Sequence, residues 1–396
     1  MSASQAAEPG AARAEFDARL GKVRERMAAQ GLHSLVVVDP ANMHYLTGYD
    51  GWSFYTPQCV FVPSDGELLI FTRQMDANGA RLTTFFNEEQ IFGYPDDYVQ
   101  QRDCHPMEWV AKELVRRGVV DGTVGLEMDA YYFSARSYEA LRSSLPGSAF
   151  ADSHELVNWV RAVKSPSELA LMRGAARIAE HAMATAIEAV QPGVRQCDAA
   201  AAICGAQVRG TEQWGGDYPS FVPLLPTGAG TSTAHLTWSE ARFQRGETTL
   251  LELAGCYRRY HCPMARTVFL GSPPQRLVEI SEITVAGLEA ALQAVRPGAT
   301  CEQIEAAWRA HISRHGLEKP SRIGYAVGLN YPPDWGEHTM SLRPGDTSVL
   351  EIGMTFHLIA GMWLDDGGFE VSEAFVVAET GAECLSSFPR ELAIKE

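Results

Sequence analysis

The 396-residue sequence has no C-x-x-C pair among its eight cysteines and no long basic run. It also has no stretch near the roughly 18 consecutive apolar residues that a membrane-spanning helix needs. The first absence argues against a zinc knuckle or a dithiol redox centre, and the scattered thiols (Cys59, Cys104, Cys197, Cys204, Cys256, Cys262, Cys301, Cys384) suggest no disulfide framework. The second, with 33 Lys+Arg against 49 Asp+Glu and a net charge of −16, argues against nucleic acid as a partner, because excess negative charge repels phosphate. The third leaves no membrane span. The first fourteen residues lack the apolar core of a secretory signal, so a cytoplasmic location is expected. A G-x-S-x-G nucleophile elbow is missing, and the Gly-rich segment 226–232 lacks the Lys-Ser/Thr ending of a phosphate-binding loop.

What the chain does have is the ordinary balance of a folded protein, with 46% hydrophobic and 21% charged residues, at a length suited to two domains. Residues 1–13 are expected to form a disordered tail. Over 14–160, a helical pattern, strand-like runs (Leu35–Val38, Cys59–Pro63, Leu68–Thr72, Thr123–Glu127) and a helix at Pro106–Arg117 alternate as in a small α/β domain. A boundary near 160 precedes Arg161-Ala-Val-Lys-Ser-Pro-Ser-Glu168, where Ser165 can cap a long helix, with Pro166 in its first turn and Glu168 completing a capping box. From 161 to 396 the chain repeats itself. Ala186-Ile-Glu-Ala-Val-Gln-Pro-Gly193 matches Ala291-Leu-Gln-Ala-Val-Arg-Pro-Gly298, which indicates two related half-domains, each giving helices and then strands. The expected product is an α+β domain with facing sheets, its strands at Thr248–Cys256, Met264–Leu270, Met354–Ile359 and Glu373–Ala378.

Several residues on these strands carry chemistry. Glu252 lies in Thr-Thr-Leu-Leu-Glu-Leu-Ala-Gly-Cys256, an apolar strand in which a lone carboxylate is costly unless paired or used. It is either a solvated edge residue or part of a site. His235, in a Gly/Pro/Thr-rich loop, suits a proton shuttle, and a plain surface histidine would look the same. His357 shares a strand face with Thr355 and Ile359 and could equally be a satisfied core histidine. Glu373 is another acid within a strand, for which an ion pair with an arginine is the structural alternative.

The helix opening at Arg161, the paired half-domains and the last strand before Glu379-Thr-Gly381 resemble the pita-bread fold of the creatinase/aminopeptidase P/prolidase superfamily, over essentially the whole chain. The peptidases of that superfamily hold two metal ions with Asp, Asp, His, Glu and Glu. By alignment to their motifs, the corresponding positions here are Glu252, Pro263, Tyr325, Ile359 and, depending on a one-residue shift, Ser372 or Glu373. That set implies no metal and no other cofactor, since a divalent ion needs several hard or imidazole ligands at one point.

Longer strings resemble the ectoine hydrolases of the metal-free branch. They are Asn42-Met-His-Tyr-Leu-Thr-Gly-Tyr-Asp-Gly-Trp-Ser-Phe-Tyr55, Gly216-Asp-Tyr-Pro219, His235-Leu-Thr-Trp238, Ala254-Gly-Cys-Tyr-Arg-Arg-Tyr-His-Cys-Pro263 and Asn330-Tyr-Pro-Pro-Asp-Trp-Gly336. The resemblance implies hydrolytic opening of the cyclic amidine ectoine, and of 5-hydroxyectoine as a further candidate substrate, to N-acetyl-2,4-diaminobutyrate. Catalytic roles are then expected for Glu252, His235 and Glu373. Substrate contacts are expected from Trp52, Phe54, Tyr55, Tyr325, Tyr331, Trp335 and His357, with Arg258, Arg259 and Arg343 as candidates for the substrate carboxylate. It also implies a homodimer in which the amino-terminal domain of one subunit covers the other's site, and raises association with a deacetylase that takes the acetylated product. The rival activities are a creatinase-like amidinohydrolase, a metal-dependent Xaa-Pro peptidase and an inactive module of the same fold that binds a partner.

Overall fold

The computed structural model describes residues 9–364 and 367–396. The tail expected over 1–13 lies outside the described residues up to residue 8, and from Pro9 the chain is helical. The chain divides into two compact units, Met1–Arg161 and Ala162–Glu396.

In the first unit, helices α1 (Pro9–Ala29), α2 (Pro40–Thr47), α3 (Ala77–Thr83), α4 (Pro106–Arg117), α5 (Ala135–Ser144) and α6 (Leu156–Arg161) accompany a six-stranded sheet. Its strands β1 (Ser34–Val37), β2 (Cys59–Pro63), β3 (Leu69–Arg73), β4 (Ile91–Tyr94), β5 (Thr123–Leu126) and β6 (Ala149–Asp152) lie in the order β4-β3-β2-β1-β5-β6, with parallel and antiparallel pairs mixed. The central segment around β1 is apolar on both sides because both are covered. Leu35 and Val37 join one hydrophobic cluster, and Val36 and Val38 join another on the opposite face.

The second unit opens with α7 (Pro166–Ala189). The Ser165 Oγ accepts from the Glu168 N–H at 3.2 Å, and the Glu168 carboxylate accepts from the Ser165 N–H at 2.9 Å, the reciprocal cap that the sequence spacing calls for. Then come α8 (Gln196–Arg209) and the hairpin β7 (Thr248–Tyr257) and β8 (Tyr260–Leu270), followed by α9 (Gln275–Ala294), α10 (Cys301–Ser313) and further strands. The internal repeat is visible in the backbone: Gly193 and Gly298, the matching residues after α7 and α9, adopt left-handed φ of 84° and 85°.

β9 (Gly324–Val327), β10 (Gly336–Ser341), β11 (Thr355–Leu364), β12 (Gly367–Ala378) and β13 (Gly381–Cys384) form a sheet in the order β10-β9-β11-β12-β13. β14 (Ala393–Lys395) pairs with β8, giving β14-β8-β7. These strands are longer than the apolar runs that mark them in the sequence. β7 and β8 join through Arg258-Arg259, both at positive φ, so two arginines occupy positions a tight hairpin turn usually gives to Asn or Gly. Helix α7 lies so close to β7 that a Cβ at Gly255 would stand 2.0 Å from the Ala175 carbonyl oxygen. Only glycine fits there.

Candidate active site

Strand register decides which residues face one another. On β7 and β8, Glu252 is opposite Ala265 and Ala254 is opposite Pro263, so Glu252, Pro263 and Thr267 share a face. On the other sheet, His357 is opposite Tyr325 and Ala374, Ile359 is opposite Ser372, and Gly361 is opposite Glu370. Tyr325, His357, Ile359, Glu370 and Ser372 therefore share a face. Side chain and backbone join the two sheets. Ala265 N–H donates to Ser372 Oγ at 2.7 Å, while Thr267 Oγ1 donates to the Glu370 carbonyl and accepts from the Glu370 N–H, both at 2.8 Å.

Positions 252, 263, 325, 359 and 372 are thus collected on these facing surfaces, and the one-residue ambiguity resolves to Ser372. Glu373 points the opposite way. Its carboxylate accepts from Arg266 at 2.8 Å, Ser386 at 2.9 Å and Arg390 at 3.1 Å, with Glu373 and Arg266 each 1% exposed. Glu373, expected to act in the reaction, is thus held in a buried ion pair with Arg266, while its neighbour Ser372 lies on the opposite face of β12.

Glu252 itself is 5% exposed. Burial, with the negative charges of Glu370 and Asp334 nearby, pushes its carboxyl well above the usual carboxylate range. Glu370 is the acid that sequence reading passed over, because the strand was expected to begin at Glu373 and not at Gly367. Among the described residues, one carboxylate oxygen of this buried residue has no hydrogen-bond partner. Burial pushes its carboxyl up to about 7, opposed by the Lys319 ammonium and a contact from Trp363. Lys319 lies 4.2 Å from the centre of the Trp363 ring, and its own ammonium is pushed down to about 8 by burial.

Tyr325 stands where the peptidases carry histidine. Its hydroxyl accepts from Trp335 Nε1 at 2.8 Å and lies 3.2 Å from His357 Nδ1, while His357 Nε2 lies 2.7 Å from Ser372 Oγ. Burial, with Arg322 and Arg266 nearby, drives His357 down to about 3, so the ring is a neutral hydrogen-bonding link. Three residues expected as substrate contacts are buried here. His357, Trp335 and Tyr331 are respectively 0%, 0% and 3% exposed, the first two hold the Tyr325 hydroxyl, and Tyr331 packs over Arg259. Tyr325 itself is half-buried.

His235 is exposed in the loop that follows the 3-10 turn Gly228–Ser232. That loop is tied down on both sides: Leu224 pairs with Glu252 through reciprocal backbone hydrogen bonds of 2.9 and 3.1 Å, and Gly368 N–H donates to Thr231 Oγ1 at 3.1 Å. In the amino-terminal unit, Trp52 and Tyr55 are 56% and 66% exposed, with Phe54 buried between Trp52 and Tyr132 at ring distances of 4.9 and 5.1 Å.

The donor set does not fit the two metal ions of the fold's peptidases. Pro263 and Ile359 carry no donor, Ser372 and His357 are bonded to each other, and Glu252 alone keeps a strong ligand type at the five positions. Among the described residues, no three His, Cys, Asp or Glu side chains converge as metal ligands would.

Residues 170–379 match the model of metallopeptidase family M24, and residues 19–163 match the creatinase/prolidase N-terminal domain. The chain is 45% identical to an ectoine hydrolase of Halomonas elongata, over 97% of this chain and 98% of that one. It is 26% identical to an Xaa-Pro dipeptidase of Lactobacillus helveticus, over 90% and 94%. Among solved structures, dipeptidase PepE of Mycobacterium ulcerans superposes with a TM-score of 0.80 at 22% identity, covering 96% of this chain and 98% of that one, a likeness of fold.

Proposed function

The chain belongs to metallopeptidase family M24, and within it we propose that it hydrolyses the ring of ectoine, giving N-acetyl-2,4-diaminobutyrate without a metal ion. The observation that carries this reading is Glu252, the one strong ligand type left at the five positions where the family's peptidases hold metal, now buried beside Glu370 and Tyr325. The near-complete alignment with an ectoine hydrolase supports it.

Ectoine is a planar amidinium that carries a carboxylate. A buried carboxyl that resists ionisation is stabilised as an anion when such a cation arrives, so Glu252 recognises the substrate by exchanging its proton for an ion pair. Held there, a Glu252 oxygen attacks the amidinium carbon. The new C–O bond displaces the C=N π pair onto nitrogen, and one ring nitrogen takes a proton and leaves with its C–N bond. Water then attacks the Glu252-bound carbon, giving the acetamide and freeing the carboxylate, with His235 moving the protons. The Tyr325 hydroxyl, whose pKa is pushed well above its ordinary value by burial and by Glu252, stays protonated and can bond to the substrate.

The protein works as a homodimer in this reading, with Trp52, Phe54 and Tyr55 of one subunit reaching the other's site, and a deacetylase is the natural consumer of its product. All eight cysteines are free thiols, in keeping with the reducing cytoplasm, and no helix among the described residues is long and apolar enough to cross a membrane. The test is to offer ectoine, 5-hydroxyectoine, creatine and an Xaa-Pro dipeptide to chelator-treated protein. Consumption of ectoine alone or with its hydroxylated form supports this reading, and consumption of the dipeptide, or of nothing, refutes it.

A further inference from the structure

The substrate proposed above carries a charge that the acidic site does not answer. Glu252, Glu370 and Asp334 can meet the amidinium, but the ring carboxylate needs a cation. Two arginines of the catalytic unit are already committed. Arg266 donates to the Glu373 carboxylate and to the carbonyls of Ala265, Ser372, Phe388 and Pro389. Arg259 lies beneath the Tyr218 ring and is bound to the Asp217 carboxylate. Of the others expected as candidates, Arg258 stacks on Tyr257, 5.7 Å from its ring centre, and Arg343 lies beyond the end of β10.

Arg322 differs from all of them. Its guanidinium lies over the Tyr325 ring, 4.4 Å from the centre, and Nη1 donates to Ser341 Oγ at 3.1 Å. Among the described residues, Nε and Nη2 have no hydrogen-bond partner. The side chain is exposed, and its stack places it beside Tyr325, whose strand position lies opposite His357. The stack on Tyr325 and the bond to Ser341 fix the plane of the fork while leaving two N–H groups to be used together.

We propose that Arg322 binds the ring carboxylate of ectoine and thereby selects carboxylate-bearing amidines. This rests on the ectoine reading. The carboxylate hangs from the ring carbon next to an amidinium nitrogen, so an amidinium placed at Glu252 and Tyr325 directs it along the tyrosine toward Arg322.

The test compares wild type, Arg322→Met and Arg322→Lys on ectoine and on the same ring lacking the carboxylate, 2-methyl-1,4,5,6-tetrahydropyrimidine, with thermal melting as a check on folding. For ectoine, Arg322→Met raises KM by about 10- to 100-fold with a smaller change in kcat, and Arg322→Lys recovers part of the loss. For the decarboxylated ring, wild type and Arg322→Met have the same kcat/KM. An unchanged KM for ectoine, or an equal loss on both rings, overturns the assignment to Arg322 while leaving the ectoine reading intact. A wild type that consumes no ectoine overturns that reading and the assignment with it.

Discussion

Ser372 Oγ lies 2.7 Å from His357 Nε2, whereas the next residue, Glu373, turns its carboxylate to Arg266 on the other face of β12 at 2.8 Å. One step along a strand separates the face shared with Tyr325 and His357 from the face of the buried ion pair. Glu373→Gln leaves Arg266 and Arg390 facing an amide. Breaking a buried pair in this way costs about 3–5 kcal/mol of stability. Differential scanning calorimetry is expected to show a large fall in melting temperature, while the folded fraction at low temperature still turns over substrate. A stable, inactive Glu373→Gln would restore this residue to the reaction.

Glu252→Gln is expected to do the reverse. The carboxyl is held protonated by burial and its acidic neighbours, so the isosteric amide replaces a neutral group and the fold is retained. Turnover is lost. Denaturant unfolding together with a turnover assay checks both halves, and substantial activity in Glu252→Gln refutes the proposed attack. Intact-mass measurement of a slowed variant such as His235→Ala, quenched during turnover, is expected to show substrate mass on the peptide containing Glu252.

Glu370 makes stability depend on pH, with a definite sign. Its folded-state pKa of about 7 lies above the ordinary 4.5, so its contribution is fully present below about 4.5 and is lost as pH rises through about 7. Glu370→Gln removes that loss. The variant is expected to unfold at higher denaturant than wild type at pH 8, by about 3 kcal/mol, and to match it near pH 4.5. A difference that does not change with pH contradicts this.

His235 is exposed, so His235→Ala is expected to leave melting unchanged and to lower kcat by about 10²- to 10⁴-fold, the range of a proton-transfer group. An unchanged kcat removes it from the mechanism.

Trp52 and Tyr55 are tested by complementation. A doubly substituted Trp52→Ala/Tyr55→Ala chain and a Glu252→Gln chain, each inactive alone, are expected to regain activity when unfolded together and refolded as mixed dimers. No recovery in dimers shown to be mixed argues against a site shared between subunits.

Much of this was readable from residue order. The capping box at Ser165, the doubled Val-Gln/Arg-Pro-Gly segments and the buried acid at Glu252 depend on local spacing, and local spacing survives folding. The faces of β12 were harder to assign. The apolar run in the sequence begins at Val371, whereas the strand starts at Gly367, and the face of Glu373 depends on register with β11. Glu370, Lys319 and Arg322 were not found because each depends on a neighbour distant in sequence: Lys319 for the Glu370 carboxyl, Trp363 for Lys319, and Ser341 for Arg322. His357 and Trp335 have the residue types of a binding site, and their bonds to the Tyr325 hydroxyl were not legible because they depend on how the strands and the loop before β10 pack.

The most direct measurement is proton NMR of ectoine incubated with protein freed of divalent metal by exhaustive chelation. The ring signals are expected to give way to those of an N-acetyl-2,4-diaminobutyrate at the rate shown by untreated protein. Ectoine that persists unchanged, or that is consumed only after a divalent metal is restored, contradicts the account.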